Sequence, residues 1–181
     1  MTRIATCIRQ ARPEDVKGIA TVHVETWRDV YAGIVADKYI LSLNVVNRSR
    51  YWLGALNGEA GSLDILVAED DEGTIIGFTS AGPARKNSLP GDRHFDAELF
   101  TLYVAPNHQG RGLGRALMAR SFSALATRGC LNAFLWVVSA NPARFFYEAM
   151  GGQRIGERTE NFAGTRLAET AYGWDTLLID A

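Results

Sequence analysis

The sequence predicts an α/β protein with a central, twisted mixed sheet and helices on both faces of the sheet. Two observations carry this prediction. Hydrophobic periodicity changes repeatedly between helical and extended, in the order β, α, α, β, β, β, α, β, α, β, β. The run Cys130 to Ser139 is almost continuously apolar, as expected for a strand covered on both faces. A length of 181 residues suits one domain, so we expect residues 1–181 to form a single domain.

The first part of the chain is predicted to be one strand followed by helices. The strand is expected at Ile4 to Gln10. Residues 13–15, a proline and two acids, suit the first turn of a helix that continues to about Val30. A second helical stretch covers roughly Asp37 to Leu56, with a break near Asn44.

The remaining chain alternates between extended and helical patterns. Further strands are predicted at Leu63 to Glu69, Thr74 to Ala81, Phe95 to Ala105, Cys130 to Ser139, Gln153 to Arg158 and Arg166 to Leu178. Helices are predicted at Gly112 to Arg128, with a broad apolar face, and from Asn141-Pro142 to Met150, where two glycines end it.

Composition excludes several classes of function. The formal net charge is −1, which argues against a nucleic-acid partner. No run approaches the about 18 consecutive apolar residues that span a membrane, and the first residues do not form a secretory signal. The two cysteines and three histidines are too scattered to form a metal site by spacing. We therefore expect a cytoplasmic protein without a metal.

A glycine-rich turn follows the strand predicted at Phe95 to Ala105. Its sequence is Gln109-Gly110-Arg111-Gly112-Leu113-Gly114. The first amides of a helix lack intrahelical partners, and the helix dipole favours negative charge there. Glycine lets the backbone approach a phosphate, and Arg111 and Arg115 add positive charge at the rim. The spacing differs from the dinucleotide fingerprint G-x-G-x-x-G and lacks the Gly-Lys-Ser/Thr of nucleotide triphosphatases. A strand-to-helix turn with incidental glycines is the alternative.

The pattern Q-x-x-G-x-G resembles the pyrophosphate-binding motif of the GNAT superfamily of N-acetyltransferases, and the order of elements resembles that fold over nearly the whole chain. The resemblance implies a GNAT-like acyl-CoA N-acyltransferase fold and acetyl-CoA as cosubstrate. It also implies that the strand before the motif splays from the next one and admits the pantetheine arm. The implied acetyl-CoA contacts are Leu102, Tyr103, Val104, Gln109, Gly110, Arg111, Gly112, Leu113, Gly114, Arg115, Asn141 and Tyr147.

The segment Trp136 to Glu148 carries a second part of the resemblance. It is similar to the family's strand followed by an asparagine and, at the start of a helix, a tyrosine. The resemblance implies that Asn141 contacts acetyl-CoA and that Tyr147 protonates the departing thiolate. Asn141 is also a good helix cap before Pro142, and Tyr147 also suits an aromatic core position.

A base must remove a proton from the attacking amine, directly or through water. Glu98 is the first candidate, eleven residues before Gln109, a separation similar to that in the histone-acetylating branch of the superfamily. Alternation places Glu98, Phe100 and Leu102 on one strand face, where apolar neighbours would raise the carboxyl pKa. An ordinary ion-paired glutamate is the alternative, and Asp96 is the reserve candidate.

The acceptor site is expected under the first helix. His23, Trp27 and Tyr31 share one helix face at spacings of four residues. In the family the first two helices roof the acceptor, so the resemblance makes Trp27, Arg28 and Tyr31 candidate substrate contacts, although packing also explains Trp27. The segments Lys86 to His94 and Glu160 to Gly164 are candidates for closing over the site.

The sequence therefore predicts an acetyl-CoA-dependent N-acetyltransferase that acts on the primary amine of a small molecule by direct attack in a ternary complex. No cysteine lies near the motif to carry an acyl group. The alternatives are a protein acetyltransferase, acting on an N-terminus or a lysine, and a non-catalytic acyl-CoA-binding regulatory module. Many members of the family pair as homodimers, so the resemblance allows a homodimer, with Tyr172-Gly173-Trp174 either at the interface or completing the sheet.

Overall fold

The computed structural model describes residues 7–86, 89 and 93–178. Its strands are β1 (Cys7–Gln10), β2 (Asp64–Glu69), β3 (Ile75–Pro83), β4 (Ala97–Val104), β5 (Ala133–Val138), β6 (Gln153–Phe162) and β7 (Thr165–Trp174). Its α-helices are α1 (Val16–Val30), α2 (Asp37–Ser42), α3 (Val45–Leu56), α4 (Leu113–Thr127) and α5 (Ala143–Ala149). Short 3₁₀ turns at Pro13–Asp15 and Pro106–His108 precede α1 and the glycine turn.

The strands form one sheet in the order β1-β2-β3-β4-β5-β7-β6. The pair β4–β5 is parallel and every other neighbouring pair is antiparallel. The mixed sheet predicted from the order of elements is therefore confirmed.

Helices cover both faces of the sheet, as predicted. On one face, α1 and α3 pack on the strands through a core that includes Ile19, Trp52 and Phe78. On the other face, α4 and α5 bury a core that includes Phe122 and Tyr147. We call these the α1 face and the α4 face.

The predicted break near Asn44 is present, since α2 ends at Ser42 and α3 begins at Val45. The Asn44 side chain accepts a hydrogen bond of 2.9 Å from the amide of Asn47. This bond satisfies one of the free amides at the start of α3, so an ordinary N-cap separates the two helices.

Strand limits differ from the sequence prediction at several places. Residues 4–6 of the predicted first strand lie outside the described part of the chain. Strand β6 continues to Phe162 rather than ending near residue 158, and it forms a hairpin with β7. As an edge strand with mostly exposed side chains, β6 lacks the apolar alternation that would reveal its length. Strand β7 ends at Trp174 and not at Leu178.

The C-terminal aromatic stretch completes the sheet. Tyr172 and Trp174 belong to β7, which lies between β5 and β6, and both are buried within the chain. These two rings are therefore already covered by their own chain.

A β-bulge in β4 changes which residues share a face. Ser80 pairs with Thr101 while Ala81 pairs with Leu99, so Phe100 is an extra residue on β4. Consequently Leu99 and Leu102 both pack in the core of the α4 face. Glu98 precedes the bulge and lies on the α1 face, opposite Leu102. The prediction that Glu98 and Leu102 share a face is wrong, because simple alternation does not allow for an inserted residue.

The described residues contain neither a membrane-spanning helix nor a preformed metal cluster. No helix among them is long and apolar enough to cross a membrane. Within the same residues, no cluster of three or more histidine, cysteine, aspartate or glutamate side chains is arranged to hold a metal ion.

Candidate active site

The parallel strands β4 and β5 separate after two residue pairs. Their ladder consists of Ala97 with Ala133 and Glu98 with Phe134. Beyond these pairs the strands diverge, and a cavity of about 950 Å³ extends from the gap to both faces, lined by residues of both strands. The splayed strands implied by the family resemblance are therefore present.

The backbone of β4 presents free polar groups to this gap. The amide of Ala105 donates to the carbonyl of Ile76 on β3, at 2.9 Å. Because backbone groups alternate along an antiparallel strand, those of Leu102 and Val104 face the opposite side, toward the gap. The Val104 carbonyl accepts from the Gln109 side chain at 3.0 Å and from the Thr26 hydroxyl at 3.4 Å. Gln109 thus anchors the glycine turn to the end of the strand.

The glycine turn forms one end of the cavity. Gly110 and Gly112 adopt φ values of +71° and +81°, which favour glycine. Gly112 directly precedes α4, and a Cβ at either glycine would meet no atom within 4 Å, so the requirement for glycine is conformational. In the described part of the chain, the amides of residues 110–114 donate to no other residue. These free amides and the positive end of the α4 dipole form an anion-binding surface.

All predicted acetyl-CoA contacts line the cavity except two. Leu113 is buried and packs with Val104 and Leu117 on the α4 face, so only its backbone amide belongs to the turn. The side chain of Arg111 is exposed outside the cavity, whereas Arg115 lies along its wall. The assignment of individual acetyl-CoA contacts stays a prediction.

Tyr147 lies in α5, and its ring packs edge-on against Phe146 with the ring centres 5.3 Å apart. Burial raises the pKa of the Tyr147 hydroxyl, and Tyr31 raises it further. The hydroxyl is therefore protonated at neutral pH and makes no hydrogen bond within the described part of the chain. It is available to donate a proton in the cavity.

Asn141 joins the start of α5 to the end of α1. Its side-chain oxygen accepts from the amide of Ala143 at 2.8 Å, and its side-chain nitrogen donates to the Tyr31 hydroxyl at 3.3 Å. The cap predicted for Asn141 is thus present. The second bond orients Tyr31 so that the hydrogen of its own hydroxyl remains free to donate.

Tyr103 contributes a third hydroxyl to the same cavity. It accepts a hydrogen bond of 3.0 Å from the indole nitrogen of Trp27. Burial raises the pKa of both Tyr103 and Tyr31. Three protonated phenols, those of Tyr31, Tyr103 and Tyr147, therefore face one cavity as potential donors.

Glu98 does not line the cavity. Its carboxylate is buried and accepts from the Arg85 guanidinium at 2.9 Å and 2.5 Å, and that guanidinium lies over the Phe100 ring. The ion-paired alternative describes Glu98 better than the apolar setting that suggested a base. Asp96 is exposed and accepts from the amide of Leu131 at 2.7 Å. This geometry does not favour direct proton removal by either carboxylate.

His23 lies on the same helix face as Trp27 but belongs to the core. It is 5% exposed, and burial lowers its pKa to about 3, so it is neutral. Its Nδ1 accepts from the indole nitrogen of Trp52 at 3.3 Å. His23 therefore packs among aromatic rings and does not line the cavity.

Aromatic rings form the other end of the cavity, on the α1 face. The centre of the Trp27 ring lies 4.4 Å from the centre of the Tyr31 ring and 5.5 Å from the centre of the Phe162 ring on β6. Arg28, the third predicted substrate contact, is exposed, donates to the carbonyl of Leu43 at 2.8 Å and does not line the cavity. Its helical position directs the guanidinium toward the loop between α2 and α3.

Three carboxylates line this end of the cavity, and none of them was predicted individually from the sequence. They are Asp29, Glu160 and Glu169. Glu160 and Phe162 belong to a segment expected to cover the acceptor, but nothing in the local pattern indicated that Asp29 and Glu169 face the same space. The other segment expected to cover the acceptor, Lys86 to His94, lies largely outside the described residues.

Comparison with known proteins gives a consistent result. The sequence profile of the acetyltransferase (GNAT) family matches residues 27–152. The uncharacterised N-acetyltransferase YuaI of Bacillus subtilis (strain 168) is 36% identical over 94% of this chain and 93% of its own length. The spermidine N(1)-acetyltransferase of Thermoplasma acidophilum is 25% identical over 82% of this chain and 88% of its own length.

A solved structure shares the fold. The PaiA N-acetyltransferase from Thermoplasma acidophilum, solved in complex with coenzyme A, superposes with a TM-score of 0.67 at 22% identity. The match covers 92% of this chain and 98% of that one, so the similarity extends over nearly the whole fold.

Proposed function

The chain belongs to the GNAT family of N-acetyltransferases, and we propose that it moves the acetyl group of acetyl-CoA to the primary amine of a small molecule. The observation that carries the proposal is the continuous cavity between the glycine turn and the aromatic end. It provides an anion surface for the donor at one end and a separate side-chain pocket for the acceptor at the other.

The donor end suits an acyl-CoA. The free amides at Gly110 to Gly114 can hold a pyrophosphate, and Arg115 adds a positive charge on the same wall. The backbone groups of Leu102 and the backbone amide of Val104 face the gap and can pair with the amides of a pantetheine arm. A backbone amide directed at the thioester oxygen stabilises the charge that develops there, by about 3 kcal/mol in comparable acyl transfers.

The transfer requires two proton movements. The amine nitrogen forms a bond to the acetyl carbon, and the carbon–sulfur bond breaks. Tyr147 gives its hydroxyl proton to the departing thiolate and regains one from water. Its raised pKa keeps the hydroxyl protonated at neutral pH but makes it a weaker acid, so the transfer depends on the negative charge that develops on the sulfur. The proton of the amine leaves through water, because Glu98 is bound to Arg85 and lies outside the cavity wall.

The acceptor pocket is walled on two opposite sides, which suits a small molecule better than a protein segment. Trp27 and Tyr31 come from the end of α1, and Phe162 comes from the β6–β7 hairpin on the other side. A relative that matches most of the chain is a spermidine acetyltransferase, whose substrate is a small amine. The available Tyr147 hydroxyl favours an enzyme over a regulatory module that only binds acyl-CoA.

An acceptor screen tests the proposal. Release of free CoA is measured with a panel of small primary amines and, in parallel, with peptides that carry a free N-terminus or a lysine. We expect release above the rate without acceptor only with small amines. Release with peptides alone would indicate a protein acetyltransferase, and tight acetyl-CoA binding without release on any amine would indicate a regulatory module.

A further inference from the structure

The acceptor end of the cavity is acidic. The charged residues that line the cavity are Asp29, Glu160 and Glu169 at the acceptor end and Arg115 at the glycine turn. Within the described part of the chain, no lysine or arginine lines the acceptor end. The two ends of one cavity therefore carry opposite charge.

Two nearby guanidiniums reduce this negative charge without cancelling it. Arg158 binds Glu169 at 2.7 Å and Glu160 at 3.2 Å. Arg85 binds Glu98, and the carboxylates of Glu160 and Glu169 also act on it. Of the three carboxylates that line this end, Glu160 and Glu169 share the single guanidinium of Arg158, and Arg48 acts on the nearby Tyr103 from farther away. The side chains that line this end therefore keep a net negative charge for a ligand to balance.

The chain itself shows how a cation is held at this end. The guanidinium of Arg158 lies 4.2 Å from the centre of the Trp136 ring while it pairs with the two glutamates. Trp136, Trp27 and Phe162 all line the cavity. Aromatic faces combined with carboxylates bind positive charge, and the same faces pack against methylene groups.

The nitrogen that attacks the thioester must be uncharged, so it cannot be the group that balances these carboxylates during transfer. We infer that the acceptor is an aliphatic diamine or polyamine, whose second ammonium is held by Asp29 and Glu160 and stays charged. This inference rests on the proposed function. One nitrogen takes the acetyl group and loses its proton to water, the CoA thiolate takes a proton, and the other nitrogen is unchanged.

The test compares hexamethylenediamine with hexylamine and aminohexanol, which have the same chain length and lack the second ammonium. The specificity constant kcat/KM is measured by CoA release at low ionic strength. We expect about a tenfold preference for the diamine, from one or two partly exposed ion pairs and a cation–aromatic contact. The preference should shrink as salt is added, because the carboxylates are partly exposed.

Two variants locate the second ammonium. Asp29→Asn and Glu160→Gln each remove one carboxylate at an exposed position, so folding should be retained. Each should lower the ratio of kcat/KM for the diamine to kcat/KM for hexylamine about threefold. The matched control is Glu157→Gln, an exposed glutamate on the same strand that pairs with Arg154 and does not line the cavity. It should leave this ratio unchanged.

The possible failures are distinct. Equal kcat/KM for diamine and monoamine would overturn the inference and leave the proposed function standing. A diamine preference that survives in both variants would overturn the placement of the second ammonium. Absence of CoA release with every small amine, while acetyl-CoA still raises the melting temperature, would overturn the proposed function and the inference with it.

Discussion

The two ends of the cavity are formed by different parts of the chain, one by backbone groups and the other by side chains. The donor end is made of backbone groups, namely the amides of residues 110–114, the polar groups of Leu102 and the amide of Val104. The acceptor end is made of side chains from α1, β5, β6 and β7. In the proposed function the donor end binds the pyrophosphate and pantetheine groups that every acyl-CoA shares, whereas the acceptor end presents aromatic and acidic side chains.

The difference has a consequence for substitution. Backbone groups are lost only when the conformation of the turn changes, so most side-chain replacements near the donor end should leave acetyl-CoA binding intact. At the acceptor end each side chain is itself a contact, and replacements should change amine recognition without changing donor binding. Four predictions test this separation.

The largest effect is expected at the donor end. Gly112→Val places a β-branched residue at φ +81°, where it is strained, so the turn should rearrange and its amides should no longer converge. Loss of about three charge-assisted hydrogen bonds should weaken acetyl-CoA binding roughly a thousandfold. Calorimetric titration measures the affinity, and thermal stabilisation by acetyl-CoA gives a second readout.

Gly129→Val is the matched control for this strain. Gly129 has φ +89°, and a side chain there would enter open space, but this glycine follows the far end of α4. The variant should lose similar stability and keep its affinity for acetyl-CoA. Equal weakening in both variants would mean that the effect comes from strain in general and not from the anion surface.

The second prediction concerns the junction of the two ends. Tyr147→Phe should lower kcat about a hundredfold by removing the proton donor, with acetyl-CoA affinity unchanged. Tyr172→Phe is the control, because the Tyr172 hydroxyl is bound to Glu148 outside the cavity. A wild-type kcat in Tyr147→Phe would remove Tyr147 as the acid.

The third prediction separates a base from an ion pair. Glu98→Gln should reduce the free energy of unfolding by about 2 kcal/mol, because it breaks a pair with a buried carboxylate. Since Glu98 does not line the cavity, the acidic limb of the kcat/KM profile against pH should be retained. Denaturant unfolding and the pH profile are the two measurements.

Asp64→Asn provides the comparison for Glu98→Gln. Asp64 is a buried carboxylate that pairs with a half-exposed arginine, Arg128, away from the cavity. Both variants should lose similar stability and keep similar pH profiles. Loss of the acidic limb in Glu98→Gln alone would show that Glu98 is the base and that Arg85 moves away from it before the proton transfer.

The smallest effect is expected at the acceptor end. Trp27→Phe keeps an aromatic ring but loses the hydrogen bond to the Tyr103 hydroxyl. We expect the KM for the amine to rise about threefold, with the affinity for acetyl-CoA unchanged. An equal loss of donor affinity would show that the two ends are coupled and would contradict the separation.

Much of the fold could be predicted because its signals are local. The break before α3 follows from Asn44, whose side chain caps the next helix three residues on. The glycine turn could be predicted because its glycines directly precede a helical pattern. Gly110 and Gly112 adopt positive φ values, which few other residues tolerate. The limits of β6 could not be predicted, because an exposed edge strand has no buried face to impose alternation.

The setting of Glu98 shows where prediction from the strand pattern failed. Alternation through Phe100 assumed a regular strand, but the bulge at Phe100 moved Glu98 to the face opposite Leu102. Its partner Arg85 lies thirteen residues earlier in the chain and meets it only because β3 and β4 are adjacent. The apolar surroundings expected for a base are therefore replaced by an ion pair.

The sequence by itself determined the order of elements, the helix caps and the glycine turn, because each depends on backbone conformation within a few residues. The tertiary structure alone decided which carboxylates line the acceptor end. Asp29, Glu160 and Glu169 come from α1, β6 and β7, and they face one space because the sheet order is β5-β7-β6 with α1 above it. Contacts between such distant segments depend on strand order and register, which no local pattern encodes.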